Sequence, residues 1–267
     1  MNIKNKSLYS KLFILSASLG SLKVLMLVRP LADFFALNIP HAMLSAFGGV
    51  GLNYPKATFQ LLLVILESYM VLELLGGGLI DDILKNGCYI FTRLENRMVF
   101  MKRKTVELFA QISFFYLVQV FTVGMWIVCI YKYKNISQLA LDAAVIGLFY
   151  ILQLFFITLS LFVLSLYYKL NLSRLVIITI QVLMLLVASS IIDLFSELEY
   201  VIKFLPMVQG IYIYHDSAFF QGELWKMVAH PLRGFGDLYA MVYLIIGNVI
   251  LYYVGAKRLK KMDIIGR

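Results

Sequence analysis

The sequence predicts an all-α integral membrane protein of six transmembrane helices, and three observations carry that prediction. Of the 267 residues, 61 % are hydrophobic and 15 % charged, against roughly 45–50 % and about 25 % in an ordinary soluble domain. Four long runs carry no charge at all: Leu108 to Tyr131, Ala143 to Tyr168, Leu175 to Ile192 and Leu238 to Ala256. Lys and Arg gather in alternate connections, as they do where chains cross a bilayer repeatedly. At about 20 residues per crossing, six spans occupy roughly 120 residues. The remainder is too short for a large soluble domain, so residues 1–267 read as a single transmembrane domain without internal repeats.

The first span, 12–28, follows Lys4, Lys6 and Lys11 and carries Lys23 within it. No small-residue cleavage site follows, so a retained signal anchor is expected rather than a removed leader. Ser16 and Gly20, like Ala17 and Ser21, stand four apart and allow close helix contact, including contact across a dimer. Arg29 to Lys56 is an outer connection whose FGGVGLNYP stretch, Phe47 to Pro55, suits a surface loop. The second span, 57–80, contains Glu67 and Glu73.

A cytoplasmic segment of about 79–104 follows. Its Leu79, Ile80, Ile83, Leu84, Ile90, Phe91 and Leu94 fall at helical spacing, with Asp81, Asp82, Lys85, Arg93, Glu95 and Asn96 between them. Such an amphipathic helix either lies on the lipid surface or presents its groups to a cytoplasmic partner. The third, fourth and fifth spans are expected at 108–131, 143–168 and 175–192, and the sixth at 238–256. Between the last two, the outer segment 193–236 is apolar from Val201 to Tyr214 and bears Tyr212, Tyr214, Phe219, Phe220 and Trp225. That mixture predicts short helices dipping into, or lying on, the outer interface.

Charge sets the orientation. Sixteen Lys and Arg fall before the first span, between spans two and three, between four and five and in the tail, against seven on the opposite side. Both termini are therefore expected in the cytoplasm. The net charge of +9 reflects this asymmetry and attraction to anionic lipid heads, and calls for no nucleic-acid partner.

Charges in mid-membrane cost roughly 2.5–3.5 kcal/mol on insertion scales, so Lys23, Glu67 and Glu73 are expected to face protein or water. Lys23 lies five residues from the outer end of its span and Glu67 about ten from the outer end of the next. At 1.5 Å per residue the depths differ by roughly 7–8 Å, within reach of two long side chains. They form either an interhelical pair or part of a polar route meeting a cationic substrate. Gln111, Gln119, Gln153 and Gln181 add amides to three spans, where such groups hydrogen-bond between helices or line a path.

Enzyme signatures are missing. The sequence holds no H-E-x-x-H zinc helix and no G-x-S-x-G turn. Lys23 to Pro30, KVLMLVRP, is one residue short of a lipid-phosphatase opening motif and lacks the Ser-Gly-His that should follow. His215 beside Asp216 offers a base and an orienter, but neighbouring side chains point apart, and a surface histidine is expected. Asn135-Ile136-Ser137 is formally a glycosylation acceptor. Cys88 and Cys129 with His41, His215 and His230 make no recognisable metal spacing.

The run YIFTRLENRMVFMKRKTVELF, Tyr89 to Phe109, resembles the coupling segment of type 2 ABC transporter permeases. There Arg97 takes the Arg position and Lys102 or Lys104 the Lys. The ending LYYVGAKRLKKMDIIG, the six-span plan and the apolar outer segment with Pro206 are similar to that family too. The resemblance implies the membrane subunit of an exporter in a bacterial cell membrane. Small Gram-positive permeases of this kind are linked to antimicrobial-peptide export or immunity. It implies a cytoplasmic ABC ATPase partner holding ATP and Mg, a second copy or paralogue, membrane lipid, and a peptide or lipid-like substrate. Ile83, Phe91, Arg93, Asn96 and Arg97 would meet the ATPase. This chain has no G-x-x-x-x-G-K-[ST] phosphate loop, since Gly76-Gly77-Gly78 lacks the lysine, and no cofactor of its own is expected. Two alternatives stand beside this one: a non-transporting scaffold or immunity protein that sequesters a peptide outside, and an unrecognised lipid-modifying enzyme.

Overall fold

A segment crosses hydrocarbon only if its backbone groups are satisfied internally, which for a single stretch of chain means a helix. All five prolines lie at positions 30, 40, 55, 206 and 231, between the long apolar runs, so none interrupts them. The computed structural model describes residues 3–28, 42–48, 57–77, 97–132, 135–194, 196–217 and 231–261. Among the described residues every regular element is helical.

In chain order these are α1 (Ile3–Lys23), continued by a π-turn at Val24–Val28; α2 (Ala42–Phe47); α3 (Ala57–Val71), continued by a π-turn at Leu72–Gly76; α4 (Arg97–Tyr131); α5 (Ile136–Ser165); α6 (Leu170–Leu194); α7 (Glu199–Ile202); and α8 (Asp237–Lys261). Single 3-10 turns lie at Ser196–Leu198 and Tyr212–Tyr214. Five helices are long and apolar enough to cross a membrane: α1 with its π-turn, α4, α5, α6 and α8. The protein is thus a multi-pass membrane protein.

The helix expected at 108–131 differs from those bounds. Rather than starting near Leu108, α4 runs unbroken from Arg97, and residues 79–96 of the expected amphipathic segment lie outside the described residues. Residues 97–104 therefore belong to the crossing helix. The reason is local: Arg, Met and Lys are strong helix formers, and no glycine or proline occurs between Arg97 and Val123. At 35 residues the helix is about 50 Å long, well beyond the roughly 30 Å hydrocarbon layer. Its basic first turns stand clear of the lipid core. Lys132 closes it in the left-handed region, φ 52°. α6, Leu170–Leu194, likewise extends past its expected ends at 175 and 192, and the segment expected at 193–236 starts after Leu194.

α5 is the hub, in contact with α2, α3, α4, α6 and α8. It is the most buried of the long helices, whereas α6 and α8 leave broad apolar faces uncovered by the other described residues. Asn135 caps its start by accepting from the Gln138 N–H at 3.2 Å. Two of the small residues of α1 meet α4 of the same chain: Ser16 Oγ donates to the Phe115 carbonyl, and Gly20 rests on Thr122 and the Gln119 carbonyl.

Where α4 crosses α5, Gly147 admits the ring of Tyr116, whose hydroxyl donates to the Ala143 carbonyl at 2.6 Å. A Cβ at Gly147 would lie 2.3 Å from that ring. Gly147→Ala is therefore expected to destabilise the bundle by about 1–3 kcal/mol through overpacking, read from reversible unfolding in mixed micelles. A loss below about 0.5 kcal/mol would mean that this crossing is looser than the contact implies.

Candidate functional site

A buried ion pair forms the centre of the bundle. Lys23, the last residue of α1, donates from Nζ to Glu67 Oε1 of α3 at 2.9 Å, both side chains 4 % exposed. The ammonium also lies over the Phe47 ring, 4.2 Å from its centroid, and over Tyr150 at 5.0 Å. Desolvating two charges is offset only when partners are close and remaining donors find electron density, and the two aromatic faces supply that here.

Beside the pair is a cavity of about 60 Å³ bordered by α1, α2, α3, α5, α6 and the outer segment. The outer segment reaches it because Gly210 abuts the middle of α5. The Gly210 N–H donates to Gln153 Oε1 at 3.1 Å, and any Cβ at Gly210 would sit 2.5 Å from that of Gln153. Gln153 Nε2 meets Met207 Sδ at 3.8 Å. Non-helical backbone at such depth is tolerated where protein buries it or a cavity adjoins it. Both conditions hold.

Several polar atoms around this centre have no hydrogen bond. Gln181 Nε2 donates to Ser68 Oγ at 2.8 Å, and Ser68 in turn to the Val64 carbonyl at 2.9 Å, but Gln181 Oε1 is left over. The Tyr150 hydroxyl, near Glu67 and Gln119, has no bond of ordinary geometry, nor has either amide atom of Gln119. Of the residues singled out from the sequence, Lys23, Glu67 and Gln153 thus share one site. Gln119 lies behind Tyr150, and Gln111 is buried on α4 away from the cavity lining. Tyr150, Ser68 and Gly210 were not signalled, because a tyrosine, a serine and a glycine in apolar runs look like ordinary packing residues.

At the opposite end, Arg97 Nη1 donates to the carbonyls of Leu259 and Lys260 at 3.0 and 3.1 Å. The first residue of α4 is thereby fastened to the last turn of α8, a favourable site for a cation. Glu73, in the π-turn after α3, pairs with Arg174 of α6 at 2.7 Å. Ile83, Phe91, Arg93 and Asn96 lie outside the described residues.

The start of α8 corrects one expectation. His215 is fully buried, not a surface histidine. Its orienter is Asp237, first residue of α8, rather than the exposed neighbour Asp216. His215 Nδ1 faces Asp237 Oδ1 at 3.1 Å and Nε2 faces the Gln209 carbonyl at 3.0 Å. Ser217 Oγ and the Tyr212 hydroxyl both donate to Asp237 Oδ2, at 2.6 and 3.0 Å. Burial holds the Tyr212 phenol well above its ordinary range, with Asp237 adding to the effect, so it stays a donor. The imidazole is boxed by Phe149, Tyr212 and Phe235 with ring centroids 4.7–4.8 Å apart. The serine is turned to the carboxylate, so these groups act as a fastening, and among the described residues the imidazole nitrogens face only Asp237 and the Gln209 carbonyl. Among the described residues no group of three or more His, Cys, Asp or Glu could hold a metal ion.

No protein-family model matches the chain, and no curated protein or solved structure matches it significantly.

Proposed function

We propose that this chain is the membrane subunit of an ATP-driven exporter of the ABC type. It crosses the membrane six times, α3 with its π-turn being the second crossing beside the five long apolar helices, and both termini are cytoplasmic. Two copies, or one copy and a paralogue, form the route for an amphipathic peptide or lipid-like substrate. A separate cytoplasmic ATPase binds ATP and Mg and docks on Ile83, Phe91, Arg93 and Asn96.

The observation that carries this reading is the clamp at Arg97. The docking segment leads directly into α4, and Arg97 ties α4 to the end of α8. A push on the segment would then move two crossings together, toward or away from the polar centre at Lys23 and Glu67. Coupling of this kind needs a rigid connection with two arrangements rather than proximity alone.

The test is co-purification with a soluble ATPase and ATP-dependent transport in vesicles. Phe91→Ala with Arg93→Glu is expected to abolish both. Arg97→Ala is expected to keep the complex and lower transport per ATP at least tenfold, because docking survives while the clamp is lost. If charge reversal at Arg93 and Arg97 together left complex and transport intact, the assignment would fail.

Exposed Leu198, Tyr200 and Phe204 favour a second reading, in which the outer segment sequesters a peptide without moving it. That reading predicts protection of cells carrying a hydrolysis-dead ATPase, whereas the exporter reading predicts none.

A further inference from the structure

We infer that the cavity beside Lys23 and Glu67 binds an uncharged hydroxyl- or amide-bearing head of an amphipath, held by Gln181 Oε1 and the Tyr150 hydroxyl. The inference names the substrate chemistry of the exporter reading and rests on it for its purpose, although the binding itself belongs to this chain alone.

Three observations lead there. First, the cavity of about 60 Å³ exceeds the 10–15 Å³ that one water needs, and has room for about four waters or a small polar head. Second, two of its lining residues carry polar atoms without a hydrogen bond of ordinary geometry: Gln181 Oε1, on a side chain only 2 % exposed, and the Tyr150 hydroxyl, which lies near Glu67 and Gln119. Buried polar atoms are otherwise nearly always paired, and this lining offers an acceptor together with a group that both donates and accepts. Third, both helices that bring in the ion pair loosen nearby into π-turns, Val24–Val28 directly after Lys23 and Leu72–Gly76 five residues beyond Glu67. Single π-turns inside α-helices recur at functional sites.

Charge selects the ligand class. Lys23 and Glu67 already neutralise each other at 2.9 Å. An incoming ammonium or carboxylate would find no net countercharge and would lose its hydration. A neutral head that both donates and accepts fits without disturbing the pair: its N–H or O–H goes to Gln181 Oε1, and its oxygen accepts from Tyr150. An amide or an alcohol has both functions, and its tail follows the apolar lining toward lipid.

The experiment is calorimetric titration of the isolated chain in lipid nanodiscs, without ATP or ATPase. The probes are octanamide and 1-octanol, set against octylammonium and octanoate. Saturable binding of one neutral probe per chain is expected, at least tenfold tighter than either charged probe. Gln181→Leu and Tyr150→Phe are each expected to weaken it about threefold to tenfold, the loss of one net hydrogen bond. Tyr150→Phe keeps the ring under Lys23 and removes a hydroxyl that makes no hydrogen bond of ordinary geometry, so the unliganded variant is expected to fold and to melt within a few degrees of wild type. It remains usable if Gln181→Leu fails to fold. Non-saturable partitioning unchanged by either variant, equal binding of charged probes, or a cavity holding water that octanamide does not displace would each overturn the inference. Binding found where no ATPase docks would defeat the exporter reading alone. ATP-coupled transport without binding would defeat this inference alone.

Discussion

Replacing Lys23 by methionine is expected to destabilise the folded chain by about 3–5 kcal/mol, and adding Glu67→Leu is expected to restore most of that loss. The asymmetry follows from burial. With each side chain 4 % exposed, removal of the ammonium strands a carboxylate that must stay charged without a partner or take up a proton, and broken buried pairs cost about that much. Removing both charges deletes the desolvation penalty along with the attraction, and apolar replacements of buried pairs are often neutral or stabilising by about 1–4 kcal/mol. Glu67→Gln alone should lie between, because its amide oxygen still accepts from Lys23. The measurement is a double-mutant cycle from unfolding by sodium dodecyl sulfate in mixed micelles. Single variants that cost less than about 1 kcal/mol would show that the site is hydrated and the pair screened. A double variant no better than Lys23→Met would show that the methylenes, rather than the charge, hold the helices.

This pair is also where sequence reasoning reached furthest. Two charges at reachable depths in adjacent apolar runs have few low-energy alternatives to meeting, so spacing alone brings them within range. The long helices were legible for a related reason: an uncharged run without proline has one way to satisfy its backbone in lipid. Helix ends were not. Arg97 to Lys104 is too basic to sit in hydrocarbon, yet it continues α4 because helix propensity does not stop where the membrane does. Partners distant in sequence stayed hidden as well. His215 has an acidic neighbour at Asp216, but successive side chains in irregular backbone diverge, and Asp237 arrives only through the fold. Small residues four apart on α1 permitted a dimer contact or an internal one, and for Ser16 and Gly20 the packing against Phe115 and Thr122 is internal. The depth reached by the outer segment depends on Gly210, a single glycine whose lack of a Cβ matters only once Gln153 lies against it.

The same segment is held from above by Asp237, and Asp237→Ala is expected to cost about 2–3 kcal/mol while loosening residues 208–217 far more than the long helices. Three donors converge on that carboxylate, from Tyr212, Ser217 and His215. Tyr212 and Ser217 lie 2.6 Å apart and keep each other, but His215 Nδ1 loses its partner inside a fully buried ring, and a stranded buried group costs about 1–3 kcal/mol. The Asp237 side chain is 21 % exposed, so water replaces part of what is lost, which sets the upper end. Asp237→Asn should be milder, retaining one acceptor but turning an amide N–H₂ toward a donor. The backbone bonds from Asp216 N to the Phe235 carbonyl and from Leu232 N to that of Tyr214, at 2.9 and 3.0 Å, then remain, together with the packing of His215 on Phe235. Hydrogen exchange by mass spectrometry is the direct readout: protection at 208–217 should fall, while α4 and α5 exchange as in wild type. Since Gly210 and Met207 line the cavity from the same segment, the loosening should also weaken octanamide binding there without any change in a side chain that touches it. Unchanged exchange in this segment, with a stability loss under about 0.5 kcal/mol, would mean that aromatic packing around His215 is sufficient and the carboxylate is incidental.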